Sequence, residues 1–186
     1  MKVILISGKA QHGKDTTAGF LKEYLEEHGK RVLITHYGDL LKYVCRTFLG
    51  WDGQKDEAGR SLLQHVGSTV REQDQNFWVR FVGKMLTFFH YEWDYVLIPD
   101  CRFPNEVDLL KDMFHFWPDY EAIHFRVVRP DFDNGLTPKQ KAHPSETALD
   151  WVTPDFLLEN WGGLDDLRRE VRVWARGRLN VPEVFQ

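Results

Sequence analysis

Gly8-Lys9-Ala10-Gln11-His12-Gly13-Lys14-Asp15-Thr16 follows directly on the apolar run Val3-Ile4-Leu5-Ile6 and opens a helical pattern from Lys14 to His28. Strand, glycine-flanked loop and helix form the context in which G-x-x-x-x-G-K makes an anion cradle. The glycines let successive backbone N–H groups turn inward, and the helix N-terminus adds its positive end. Gly8, Lys9, Ala10, Gln11, His12 and Gly13 supply the loop, Lys14 acts on phosphate as a point charge, and Asp15, Thr16 and Thr17 begin the helix. The competing reading is an ordinary glycine-rich turn. Asp15 stands where serine or threonine normally follows the lysine. Its carboxylate either meets Mg2+ through water, with Thr16 supplying a hydroxyl, or only suits the helix N-terminus.

Outward from the loop, apolar strands alternate with helical patterns. Strands are expected over Lys2–Ser7, Arg31–His36, Tyr95–Pro99, Ala122–Val128 and Asp155–Glu159. Helices are expected over Lys14–His28 with Gly29 as its stop, then about 39–49, 60–72 and 75–90, Glu106–Phe116, and 164–178. Parallel strands joined by helices form a sheet covered on both faces. The all-helical block between the second and third strands is long enough to be a substrate-binding insertion. The polar segment Asp131–His143 is expected to be a mobile flap. Leu164, Leu167, Val171 and Trp174 form an apolar stripe suited to the core.

The 186 residues suffice for one domain with its own core, and 42% hydrophobic with 28% charged residues excludes a disordered chain. A net charge of −4 argues against wrapping a nucleic-acid polymer. Cys45 and Cys101 form no CxxC pair, the histidines lack zinc spacing, and no stretch reaches membrane-spanning length. A reducing, cytoplasmic setting is the expectation. Guanine-binding and transporter signatures are absent from the sequence, which leaves a small kinase among phosphate-loop proteins.

Asp100 ends the third strand, where a parallel sheet binds its ligands, so it is a candidate for the Mg2+ shell, and Arg102 for a phosphoryl clamp. The competing reading of the two is a structural ion pair or a helix cap. Arg60, Gln64, Gly67 and Arg71 share one helical face, with Leu62, Leu63, Val66 and Val70 opposite and expected in the core. Arg60 and Arg71 stand about 16 Å apart along such a helix, too far to grip one phosphate together. Asp39 reads as an N-cap or a substrate contact. Arg129 closes the fourth strand beside the flap, placed to stabilise charge on a transferring phosphoryl group. His143, Pro144 and Glu146 read either as a functional cluster or as a helix start.

Taken together, Gly8…Gly13-Lys14-Asp15-Thr16-Thr17, Pro99-Asp100-x-Arg102, Val128-Arg129-Pro130 and His143-x-Ser145-Glu146 resemble the bacteriophage-type deoxynucleoside monophosphate kinases. Arg60-Ser61-Leu62-Leu63-Gln64-His65-Val66-Gly67 and Trp78-Val79 are similar to that family's acceptor-binding helices, and the likeness runs from Met1 to about Leu149. The resemblance implies a three-layer P-loop NTPase fold of α/β class with a central parallel five-stranded sheet. The core would span about 1–36, 92–130 and 150–186, the acceptor-binding helical insertion about 37–91, and the lid about 131–149. It implies ATP and Mg2+ as cofactors and small-molecule partners only, in a monomer or homodimer. Lys14, Asp100, Arg102 and Arg129 would be catalytic, with Asp15, Thr16 and Asp100 around the metal. Asp39, Lys42, Arg60, Gln64, Arg71, Trp78, Arg102, Glu106, His143 and Glu146 would receive the acceptor. A kinase for phosphomevalonate or dephospho-coenzyme A, and a non-catalytic nucleotide-binding regulator, are the alternatives.

Overall fold

The computed structural model describes residues 1–54, 56–115, 119–179 and 181. Five strands, β1 (Lys2–Ser7), β2 (Val32–Ile34), β3 (Tyr95–Cys101), β4 (Glu121–Val128) and β5 (Phe156–Glu159), form one sheet in the order β2-β3-β1-β4-β5. Every pairing is parallel. Eight helices connect them: α1 (Lys14–Glu27), α2 (Gly38–Leu49), α3 (Glu57–Gln73), α4 (Phe77–Phe88), α5 (Pro104–His115), α6 (Pro138–Lys141), α7 (Pro144–Thr147) and α8 (Leu164–Arg178).

Alternation along the strands sorts the core into two apolar layers. Ile4, Ile6, Leu97, Phe125, Val127 and Leu158 face one side, where α1 adds Leu21 and Leu25 and α8 adds Leu167, Val171 and Trp174. Val3, Leu5, Val96 and Ile98 face the other, covered by Val82 and Leu86 of α4 and Val107, Leu110 and Phe114 of α5. This is the three-layer arrangement expected. Among the described residues no helix is long and apolar enough to cross a membrane.

One irregularity matters for the site. Leu5 pairs with Ile98 but Ser7 pairs with Cys101, so β3 carries one residue more than β1 over this interval. Pro99, which has no N–H to give to a ladder, lies inside the bulge. The slip puts Cys101 in the same apolar layer as Val96 and Ile98, and leaves Asp100 to point elsewhere.

Several boundaries and faces differ from the sequence reading. The second strand is three residues long rather than the six of Arg31–His36, and the third runs past Pro99 to Cys101. The helix expected over Glu106–Phe116 begins earlier, at Pro104; Phe116 lies outside the described residues. Leu62, Leu63, Val66 and Val70 stay partly exposed and join neither apolar layer. It is Gly67 that is buried, with Leu41 of α2 about one van der Waals contact from where a side chain would begin. The missing side chain lets α2 and α3 approach closely here. Leu164 is exposed, while the other three members of its stripe are in the core. The flap segment contains α6, with a capping box at Thr137, and ends at His143, which caps the following α7.

Within the β1–β4 pair, Ser7 and His124 are fully buried and joined Oγ to Nε2 at 2.7 Å. Burial, reinforced by the Arg126 and Lys111 charges, pushes the imidazole down to about 4. Folding therefore favours neutral His124, whereas the unfolded chain takes up a proton near pH 6.5. Stability from this residue is complete above pH 6.5 and is lost as pH falls towards 4, on the order of 3 kcal/mol. Urea unfolding at pH 7 and pH 5 should show a smaller acid loss for His124→Gln than for the unsubstituted chain; equal losses would refute the assignment.

Candidate active site at the carboxyl ends of the strands

The chain leaves β1 towards β2 and leaves β3 towards β4, so their carboxyl ends flank the crevice where such sheets bind ligands. The loop from Gly8 to Gly13 emerges there from the central strand. Gly8 has φ 146°, and a Cβ on it would lie 2.3 Å from the Val127 carbonyl oxygen, so only glycine fits. Gln11 and Gly13 are left-handed, with φ 62° and 96°. Gly13 caps α1 without a side-chain acceptor, which keeps the helix's first amides directed at the crevice.

Lys14 is buried, its Nζ donating to the Gly8 and Lys9 carbonyls, each at 2.8 Å. Burial, and then the Arg102 guanidinium, lower its pKa to about 8, while Glu146, Asp15 and Asp100 pull the other way. The ammonium still carries charge at neutral pH. Thr17 departs from the expected set: it is fully buried on the core face of α1 with Ala18 and Leu21, and its hydroxyl has no partner.

Asp100 sits where the bulge turns it, accepting the Tyr37 N–H at 2.9 Å and the Gly38 N–H at 3.1 Å. It thus caps α2. Desolvation raises its pKa against those two hydrogen bonds and the His36 and Lys42 charges. Each oxygen accepts one of these amides and keeps a further lone pair for another donor or a metal-bound water. Asp15 is largely exposed, 3.5 Å from His36 Nε2, and that hydrogen bond lowers its pKa. Thr16 lies in the same first turn of α1. Among the described residues no three His, Cys, Asp or Glu side chains cluster as a metal cage. Two carboxylates and a hydroxyl beside an anion cradle suit Mg2+ held chiefly by phosphate oxygens and water.

Around this centre the predicted acceptor residues divide. Asp39 accepts from Lys42 at 2.9 Å and from the His36 amide at 2.9 Å, so it is both a cap and a partner of charged groups. Lys42 reaches towards Asp100, its Cε lying beside Gly38. The Arg71 guanidinium lies 5.1 Å over the Phe103 ring, and its charge acts on Glu106. Glu106 itself is buried, and one oxygen accepts the Arg102 and Phe103 amides at 2.6 and 3.0 Å. Its carboxylate therefore caps α5, and burial raises its pKa to about 7. Trp78 is buried edge-on to Phe77, its indole nitrogen without a partner, and is placed for packing. Arg60 and Gln64 project from α3 into solvent, and His143 is spent on capping α7.

The segment from Arg129 to Asp150 lines the far side. Glu146 accepts the Ala10 N–H at 2.8 Å and an Arg102 Nη1 hydrogen bond at 2.9 Å. Gln11 donates to the Asn134 carbonyl, Lys9 pairs with Asp150 at 3.3 Å, and the Arg129 amide donates to His12 Nδ1 at 3.0 Å. The Arg129 guanidinium rests on the Phe132 ring, 3.7 Å from its centre. A cavity of about 210 Å³ remains between Gly8, Lys9, His12, Arg102, Arg126 and Glu146. The His36 bridge, the Asp150 pair and the His12–Arg129 contact were not read from sequence. Partners separated by 21 to 141 positions leave no local pattern to find.

No family model matches the chain. The deoxynucleotide monophosphate kinase of Enterobacteria phage T4 is 28% identical over 116 residues, which make up 61% of this chain and 43% of that protein. The chain thus spans less than half the length of this curated relative. The Mycobacterium tuberculosis APS kinase in complex with AMPPNP and APS superposes with a TM-score of 0.55 at 15% identity, covering 94% of this chain and 97% of that one. The shikimate kinase of Aquifex aeolicus gives 0.53 at 11% identity, covering 96% and 98%. The fold is that of the P-loop kinases, and the resemblance to the phage deoxynucleoside monophosphate kinases holds over the matched region.

Proposed function

We propose that the chain transfers the γ-phosphoryl group of ATP to the phosphate of a deoxynucleoside monophosphate, giving ADP and the diphosphate. One observation carries this reading: Lys14, Asp100 and Arg102 meet at the carboxyl ends of adjacent strands, close enough for their charges to act on one another. The acceptor phosphate oxygen attacks the γ-phosphorus directly, and the β–γ bridging oxygen leaves with ADP. No covalent enzyme intermediate is needed, so positioning and charge neutralisation carry the catalysis. Lys14 and the loop amides hold the donor phosphates. Arg102 and Arg129 neutralise the group in transit, and Arg71 with Lys42 receives the monophosphate. Asp15, Thr16 and Asp100 would hold Mg2+ through water, and the ion would supply further neutralisation of phosphate charge. Two free, buried cysteines, Cys45 and Cys101, fit a reducing cytoplasmic setting.

An ADP-release assay across the common nucleoside and deoxynucleoside monophosphates tests the reading. A deoxynucleoside monophosphate should be the fastest acceptor; no ADP with any of them, despite ATP binding, would favour a regulator. On the acceptor side, Arg71→Ala should raise KM for the monophosphate by roughly 10- to 100-fold, for a charge-assisted hydrogen bond of about 1.5–3 kcal/mol. KM for ATP should stay nearly constant. Steady-state kinetics with each substrate varied in turn decides it, and a rise confined to ATP would put α3 on the wrong side of the site.

A further inference from the structure

Glu146 was expected to touch the acceptor, yet the structure gives its carboxylate a different position. One oxygen takes the N–H of Ala10, inside the phosphate loop, and the other takes a hydrogen bond from Arg102, the residue assigned to clamp a phosphoryl group. The side chain is 7% exposed, so this is a seated contact and not a surface pairing. A loop amide and a guanidinium are the donors a phosphoryl oxygen uses. A carboxylate has the planar pair of acceptor oxygens and the negative charge to replace one.

We propose that Glu146 is a resident anion of the phosphate cradle, holding the lid on the loop until a phosphoryl group displaces it. Ala10 N–H has one hydrogen to give, so a phosphoryl group that uses it has to take it from the carboxylate, and the two negative charges repel each other beside Arg102. Glu146 is carried on α7, whose Ser145 carbonyl also accepts from Arg102 at 3.4 Å, with the Lys9–Asp150 pair and the Gln11–Asn134 contact nearby. Its release frees Arg102 at the moment phosphate arrives and removes one attachment of the lid to the loop. Phosphate binding and lid position are thereby coupled through one side chain.

The inference rests on the loop being a phosphate site, and its sign separates it from that reading. Calorimetry would measure dissociation constants of AMPPNP and of a deoxynucleoside monophosphate for the unsubstituted chain, Glu146→Ala, Glu146→Gln and Lys14→Ala. A resident competitor predicts tighter binding, roughly tenfold, when its charge is removed, equivalent to about 1.4 kcal/mol. Tightening of AMPPNP identifies the donor's terminal phosphate as the displacing group, and tightening of the monophosphate identifies the acceptor's. Glu146→Gln keeps size and shape, so it tests the charge even if the alanine variant folds poorly. Unchanged or weaker binding of both ligands would overturn the proposal and return Glu146 to an ordinary contact. AMPPNP binding that Lys14→Ala leaves intact would instead refute the phosphate-loop reading itself.

Discussion

Lys14→Ala should lower kcat by roughly 10²–10³-fold, the loss seen when a preorganised donor to developing charge is removed. The fold should survive, because the change deletes a buried ammonium whose partners, the Gly8 and Lys9 carbonyls, border an open crevice. The unsubstituted enzyme offers a second view of the same group. With its pKa near 8, the lysine loses charge as pH rises through that value. Since kcat/KM reports the free enzyme, kcat/KM for ATP should fall on the alkaline side of about pH 8. Bound phosphates hold the proton on, so kcat itself should fall later. A folded Lys14→Ala variant with near-normal kcat would end the kinase interpretation.

Asp100→Asn should produce two separable losses. As the cap of α2, the carboxylate accepts two backbone amides; asparagine offers one carbonyl oxygen and sets an NH2 group against the other N–H. Stability should drop by about 1.5–3 kcal/mol for losing a hydrogen bond to a charged group. If the carboxylate also orders the metal's water, kcat should fall roughly 100-fold and the Mg2+ needed for half-maximal rate should rise. Chemical denaturation measures the first loss and a Mg2+ titration the second. An unchanged titration beside a clear stability loss would make Asp100 a structural cap alone.

Much of this molecule was legible because its chemistry is local. Val3-Ile4-Leu5-Ile6 ahead of two spaced glycines and a lysine specifies strand, loop and helix within some twenty residues, and the structure reproduces each. The last helix was equally readable, with acids at its start and arginines at its end. What escaped was set by tertiary approach. Gly67 lies on the side of α3 that is polar by pattern, yet it is buried against Leu41 of α2, while Arg60 and Gln64 of the same side stay in solvent. Glu106 and Trp78 read as ligand contacts by their company in sequence; burial turns one back onto its own helix start and hides the other. Where the flap's polar atoms go was hidden as well: Thr137 caps α6, and the Asn134 carbonyl accepts from Gln11 of the phosphate loop.

The slip between β1 and β3 at Pro99 bears on how this chain tolerates insertion and deletion. Side-chain substitutions leave the slip in place, since it resides in the backbone count. Loss of Pro99 would bring the two strands back into phase: Asp100 would stand opposite Ile6, and Cys101 would keep Ser7 as its partner. The carboxylate that now turns towards the start of α2 would point, like Ile6, into the apolar layer beneath α1 and α8, while the thiol would keep its layer. A change of one codon's length, adding or removing no chemical group of the site, would thus dismantle it by parity alone.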